Sequence, residues 1–164
     1  MKNPLQSLSF PLKTGVGFGL ISGTITTLGL IVGVYFGTRS TLAVIGGIIS
    51  IAIADAFSDS LAMHISEESK SNSKKNIFIA TIFTFFSKFF VALIYLPAFI
   101  IFSIELAILI DILIGFFIIT LYSYLIAKQN KSSAVFTIME HLVVAFIVIL
   151  ITYFVGDFIN KNLS

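Results

Sequence analysis

Hydrophobic residues occur in five long runs that are separated by short polar segments. The runs cover about 14–37, 41–63, 76–102, 105–127 and 133–158, and the helix of the second run is expected to continue to about residue 68. A helix of roughly 20 apolar residues crosses the hydrocarbon core of a bilayer. The pattern therefore predicts an all-α integral membrane bundle of five transmembrane helices, which forms a single domain over residues 1–164. Pro97 predicts a kink in the third span.

The composition agrees with this interpretation. Of the 164 residues, 57% are hydrophobic and only 11% are charged, and the mean hydropathy is +1.07. A soluble chain of this length needs many more charged residues to cover its surface. The chain has no Cys, which excludes a disulfide framework and a thiolate metal site. We expect a multi-pass protein of the cell membrane with no resident cofactor and no nucleic-acid partner.

The distribution of basic residues predicts the orientation of the bundle. The segments on one side of the membrane hold Lys2, Lys13, Lys70, Lys74, Lys75, Lys128 and Lys131. The segments on the other side hold Arg39 and Lys161. Because Lys and Arg accumulate in cytoplasmic loops, this asymmetry predicts a cytoplasmic N-terminus and a C-terminus outside.

Acidic residues interrupt the second span. Asp55 and Asp59 lie one helical turn apart in IADAFSDSLAMHISEES (53–69). Ionised side chains are costly in hydrocarbon and are usually functional there. Met63 continues the same face and Glu67 lies at its edge. Carboxylates followed by a thioether are typical of a path for a divalent cation such as Fe²⁺ or Mn²⁺.

Charged residues of other spans are candidates for the same site. Glu140 in the fifth span is expected at the depth of the two aspartates, so that three carboxylates could converge on one ion. Lys88 is expected near the midplane, either as a structural partner of these carboxylates or as a counter-charge that an entering cation displaces. Carboxylates in a low dielectric can exchange a proton for a metal ion, which provides a physical basis for antiport. Asp111 is expected to be an outer-leaflet polar contact or an exit relay.

A second polar pair follows the second span. His64 and Glu68 are four residues apart on the helix face opposite to Asp55 and Asp59. The pair is interpreted either as an entrance-side metal site or as a solvated contact at the membrane interface.

Small residues form a stripe along the first span, namely Gly15, Gly19, Ser22, Gly23, Thr26, Gly29, Gly33 and Gly37. At 100° per residue they fall within an arc of roughly 120°. Small residues allow the backbone of another helix to approach closely. The stripe indicates either tight packing within the monomer or the lining of a symmetric dimer interface or translocation path.

Three segments, in this order, resemble the vacuolar iron transporter family: GLISGTITTLGLIVGV (19–34), IADAFSDSLAMHISEES (53–69) and IMEHLVVAFIVILITYFVGDFI (138–159). The resemblance covers nearly the whole chain. It implies five spans with the N-terminus inside. It also implies a homodimer that moves Fe²⁺, sometimes Mn²⁺, out of the cytosol in exchange for protons, along a pathway between the two copies of the first span.

The chain differs from this family pattern in two places. Family members typically carry an Asp before a Gly in the first span, where this chain has Ser22 before Gly23. Eukaryotic members also carry a Glu-rich cytoplasmic domain between the second and third spans, where this chain has only HISEESKSNSKKN (64–76). We expect Asp55 and Asp59 to replace the missing carboxylate of the first span.

Two classes of function agree with these sequence patterns. The first is a divalent-metal transporter. The alternative is a non-transporting membrane scaffold or assembly protein with a structural Asp/Glu–Lys network. An enzyme is not expected: Asp55 and Asp59 match only the end of the signature of phospholipid-forming alcohol phosphotransferases, and the upstream elements of that signature are absent.

Overall fold

The structure, a computed structural model, describes residues 4–70 and 73–163 of the chain. Within these ranges it is all helical, with α1 (Pro4–Thr38), α2 (Thr41–Ser69), α3 (Lys74–Leu93), α4 (Leu96–Ile101), α5 (Ile104–Asn130) and α6 (Ala134–Leu163). Five helical segments are long and apolar enough to cross a membrane, and α3 and α4 together form the third. The prediction of an all-α chain with five such helices is confirmed. Lys2, one of the basic residues used to predict orientation, lies outside the described residues.

The first helix occupies the centre of the bundle. In the most apolar stretch of α1, 56% of the residues are buried, against 11% in α6. Helices α2, α3, α5 and α6 all pack on α1. Leu28 and Ile31 of α1 form the core together with Tyr95, Phe99 and Ile108 from the helices around them. The polar residues of α1 therefore meet several neighbours rather than solvent.

Glycine residues bring α3 against the first half of α1. A Cβ atom at Gly15 would overlap the carbonyl oxygen of Ala80, and a Cβ at Gly19 would lie 2.8 Å from the carbonyl oxygen of Thr84. These are backbone contacts that only a residue without a side chain permits. Because residue numbers rise together along both helices, α1 and α3 run parallel.

The second half of the stripe packs on α6. A Cβ at Gly29 would lie 2.8 Å from Cγ1 of Val148, and a Cβ at Gly156 would lie 2.5 Å from the carbonyl oxygen of Gly33. Helix α6 is thus also parallel to α1, which places the start of α1 and the end of α6 at opposite ends of the bundle. The glycines of the stripe are occupied by packing within the chain. Which end of the bundle faces the cytoplasm stays a prediction.

The third span is broken close to Pro97. Helix α3 ends at Leu93, Ile94 and Tyr95 form a turn, and α4 begins at Leu96 with Pro97 in its first turn. Proline is tolerated there because the first N–H groups of a helix have no acceptor within it. The kink predicted at Pro97 is therefore a break just before it. The break directs Tyr95 into the core, where it is 0% exposed.

Candidate functional site

Helix α2 has one face that packs on the bundle and one that the chain leaves uncovered. Its buried residues are Val44, Ile48, Ala52, Ala56, Ser60, Met63 and Glu67. On the uncovered face, small residues recur at every fourth position, as Gly46, Ser50, Ala54, Ser58, Ala62 and Ser66. Asp55 and Asp59 lie at the border between these faces and are partly exposed. Their position leaves them accessible from the groove between α1 and α2.

Lys88 of α3 joins the two aspartates. Its Nζ lies 2.7 Å from Oδ2 of Asp55, and it also forms an ion pair with Oδ2 of Asp59. The lysine side chain is only 2% exposed, whereas those of Asp55 and Asp59 are 23% and 21% exposed. The cation is therefore sealed in the bundle, and the carboxylates separate it from the groove.

Two hydroxyl groups of α1 complete the site. Ser22 Oγ donates to Oδ2 of Asp59 at 2.9 Å, and Thr26 Oγ1 donates to Oδ2 of Asp55 at 2.9 Å. Lys88 Nζ donates in turn to Ser22 Oγ at 2.9 Å. The earlier residue of α1 meets the later residue of α2, so these two helices are antiparallel. Ser22 and Thr26, which the sequence analysis assigned to the packing or pathway stripe, are thus direct partners of the carboxylates.

The charges of this site do not cancel. Two carboxylates and one ammonium group have a formal net charge of −1, and all the contacts just described use the Oδ2 atoms. Each aspartate therefore keeps a second oxygen that could bind another cation. Ion pairs in a low dielectric are strong only where the desolvation of both partners is compensated, which the two hydroxyls help to do.

A cavity of about 280 Å³ lies between α1 and α2, one helical turn from the site. Its lining residues are Thr14, Phe18, Ala62, Met63, Ser66 and Lys70, and they do not include either aspartate. Met63 lies one turn beyond Asp59 on α2, which places the cavity toward the C-terminal end of that helix. The polar groups of its lining are two hydroxyls, a thioether and the Lys70 ammonium group.

Two other residues predicted as ligands make different contacts. Glu67 is 2% exposed, and its Oε1 lies 2.7 Å from Nζ of Lys70. His64 Nδ1 lies 3.2 Å from Oγ1 of Thr81, a residue of α3. Glu68 is exposed. The structure therefore joins His64 to α3 rather than to Glu68, and the entrance pair stays a prediction.

Glu140 does not approach the aspartates within one chain. It is exposed on α6, whereas the adjacent His141 bonds Ser123 of α5 through Nδ1 at 2.8 Å. Among the described residues, no three His, Cys, Asp or Glu side chains lie close enough together to hold a metal ion. One chain thus brings together Asp55, Asp59 and Lys88, but not the predicted trio of carboxylates. Glu140 as a metal ligand stays a prediction.

A second polar cluster was not foreseen from the sequence. Asp111 of α5 is 0% exposed and lies inside the bundle, and its expected role as an outer-leaflet polar contact or exit relay stays a prediction. Thr24 of α1 and Tyr95 are also 0% exposed. The signal in the sequence is that Asp111 shares one face of α5 with small residues at four-residue spacing, namely Ala107, Gly115, Ser123 and Ala127.

No family model, curated protein or solved structure matches the chain. The resemblance to the vacuolar iron transporter family therefore stays a prediction that depends on the three segments quoted above.

Proposed function

We propose that the chain is a multi-pass cell-membrane transporter that moves a divalent metal cation, Fe²⁺ or Mn²⁺, out of the cytosol in exchange for protons. One observation carries the proposal: two aspartates one turn apart share a single buried lysine and remain partly open to a groove. Carboxylate oxygens are ligands for divalent cations, and acidic residues inside a membrane commonly mark an ion path.

In this proposal Lys88 is a resident cation that holds the site together when metal is absent. An arriving divalent ion brings two charges to the aspartates, whereas the lysine brings one, so the ion competes for the same oxygens. The hydroxyls of Ser22 and Thr26 keep both carboxylates oriented toward α1. Met63, which lines the cavity one turn from the site, is the softer donor that favours Fe²⁺ or Mn²⁺ over Mg²⁺ or Ca²⁺.

A single chain supplies too few ligands for a complete coordination shell, and we propose that a homodimer supplies the remainder. The glycines of α1 are used within the chain, so the partner is expected to meet the α1–α2 groove and the uncovered small residues of α2. A ridge of small residues every four positions allows close helix packing in a membrane, and its serine hydroxyls would be shielded from lipid. The aspartates of the two copies would then face each other across the dimer interface.

Metal flux into proteoliposomes tests the proposal. Vesicles loaded with a dye sensitive to Fe²⁺ or Mn²⁺ should report uptake with the wild-type protein. The double variant Asp55→Asn plus Asp59→Asn should lose it, because neutral amides do not replace carboxylates. Asp157→Asn is the matched control, since Asp157 pairs with Lys161 near the end of α6 and should leave flux unchanged.

Two results would contradict the transporter. The first is that vesicles with the wild-type protein accumulate neither Fe²⁺ nor Mn²⁺. A double variant that folds normally, by size exclusion and thermal unfolding, and transports at the wild-type rate would exclude the aspartates as the path.

A membrane scaffold is the second candidate, and one observation favours it. Lys88 already binds both aspartates, and the described residues form no three-ligand cluster. In a scaffold this network only fixes α1, α2 and α3 against one another. The scaffold predicts that the double variant fails to fold and that the wild-type protein never moves metal.

A further inference from the structure

The buried cluster of Thr24, Tyr95 and Asp111 contains polar atoms without partners. Both carboxylate oxygens of Asp111 have no hydrogen-bond partner in the described part of the chain, and there the Thr24 and Tyr95 hydroxyls can pair only with each other. All three side chains are 0% exposed. Buried polar groups in proteins are nearly always hydrogen-bonded, so a carboxyl group with neither oxygen bonded requires an explanation.

The three side chains belong to one place in the fold. Gly115 lies one turn from Asp111 on the same face of α5. A Cβ at Gly115 would lie 3.1 Å from Tyr95 Oη and 3.1 Å from Cγ2 of Thr24. The side chains of α1 and of the α3–α4 break therefore both pack on the turn of α5 that carries Asp111.

No cation compensates the Asp111 carboxylate. Lys88, the lysine of α3, is committed to Asp55 and Asp59, and the other ion pairs of the described residues also leave Asp111 out. The titratable groups on the helices around it are engaged elsewhere. Tyr35 of α1 donates to Glu105 of α5, and His141 of α6 bonds Ser123.

An isolated charge in this position is unfavourable. Moving an unpaired carboxylate from water into an apolar interior costs so much that the group takes up a proton instead. A protonated carboxyl has one O–H donor and acceptor capacity, and the hydroxyls of Tyr95 and Thr24 can each donate or accept. Neither Asp111 oxygen is hydrogen-bonded in this structure, so a shift of the side chains, rather than a rotation of the hydroxyls alone, would bring Tyr95 and Thr24 into bonding distance of the carboxyl group.

We propose that Asp111, with Tyr95 and Thr24, is a proton-binding site that is separate from the Asp55–Asp59 site. The Asp111 O–H bond is intact in the resting protein. When it breaks, the proton passes to water and the carboxylate accepts hydrogen bonds from the two hydroxyls; reprotonation reverses the step. As an extension that rests on the proposed function, this proton is the one exchanged for the metal ion.

Infrared spectroscopy of the protein in lipid, without metal, tests the binding site independently of transport. The wild-type protein at neutral pH should show the C=O stretching band of a protonated carboxyl group, and Asp111→Asn should remove it. The proposal is overturned if the wild-type protein lacks the band or if the band persists in the variant. A band that is lost on adding Na⁺ would also overturn it, because the site would then bind a metal cation.

A second variant covers the case in which Asp111→Asn does not fold. Tyr95→Phe removes the hydroxyl group that packs on the same turn of α5 as the carboxyl group and so changes its polar surroundings, and the C=O band should shift in frequency. A band at the wild-type frequency would exclude Asp111 as its source. Asp157→Asn again serves as the control and should leave the band unchanged.

Flux measurements test the extension. Asp111→Asn should still carry Fe²⁺ or Mn²⁺ down a metal gradient, but a pH gradient should no longer accelerate that flux, so that the ratio of rates with and without the gradient falls to one. An unchanged response to the gradient would overturn the extension. Wild-type vesicles that move no metal would instead contradict the proposed function, and the infrared result would still decide whether Asp111 binds a proton.

Discussion

The two acidic sites inside the bundle compensate their carboxylates in opposite ways. Asp55 and Asp59 share the ammonium group of Lys88 and are 23% and 21% exposed. Asp111 forms no ion pair with another residue that the structure describes, and it is 0% exposed. An ionised carboxylate within a membrane requires a counter-charge, and without one it requires a proton. The position of an aspartate in the bundle, rather than its residue type, therefore decides whether a neighbouring cation can compensate its charge or whether it requires a proton.

Accessibility strengthens this contrast. The Asp55 and Asp59 side chains are partly exposed beside α1, and a cavity of about 280 Å³ lies one turn away along α2. Asp111 is 0% exposed among α1, α5 and the α3–α4 break. The two sites can therefore be altered by separate substitutions.

The largest effect is expected from Lys88→Met. This change leaves two partly exposed carboxylates without their buried cation, and removing one partner of a fully buried ion pair costs about 3–5 kcal/mol, which is the upper limit here. Thermal unfolding in detergent should show a strongly destabilised protein. Adding Asp55→Asn and Asp59→Asn to Lys88→Met should recover most of the loss, because no uncompensated charge then remains. If Lys88→Met unfolds at the wild-type temperature, the lysine does not hold the first site together.

An intermediate effect is expected from adding a methyl group beside either site. A Cβ at Gly23 would lie 3.0 Å from Cγ of Lys88, and a Cβ at Gly115 would lie 3.1 Å from Oη of Tyr95. Overpacking of this kind costs about 1–3 kcal/mol. Gly37→Ala is the matched control, because its added Cβ would lie 3.6 Å from the nearest atom, Cα of Gly156, which is an ordinary van der Waals distance.

The same pair of variants separates the two sites. Gly23→Ala should weaken metal flux and leave the carboxyl infrared band unchanged, and Gly115→Ala should shift the band. If both variants unfold at the same temperature as Gly37→Ala, the close approach of the helices at these glycines is wrong.

The smallest effect is expected from Asp111→Asn on stability. Asparagine has the shape of a protonated aspartate and is also neutral, so the free energy of unfolding should change by no more than about 1 kcal/mol. Thermal unfolding alongside Asp59→Asn provides the comparison, since Asp59→Asn deprives Lys88 of one of its two anions and should destabilise more. If Asp111→Asn lowers the free energy of unfolding as much as Lys88→Met does, Asp111 is ionised and has a partner.

The sequence by itself determined the five membrane helices and drew attention to the second. Apolar runs long enough to cross a bilayer are a property of the linear chain, because backbone groups in lipid must be satisfied within each helix. Asp55 and Asp59 stand out for the same reason, since charges interrupt an apolar run. Their spacing of one turn also follows from the sequence alone.

Only the tertiary structure decided which groups meet these carboxylates. Lys88 reaches Asp55 and Asp59 because the glycines of α1 let α3 approach, and the same packing orients Ser22 and Thr26. The helix packing also places Glu140 away from the site and encloses Asp111. The depth of a residue along its span predicts neither of these positions. The rotation of one membrane helix against another depends on where small residues permit close contact, and a one-dimensional pattern does not encode which neighbour will use them.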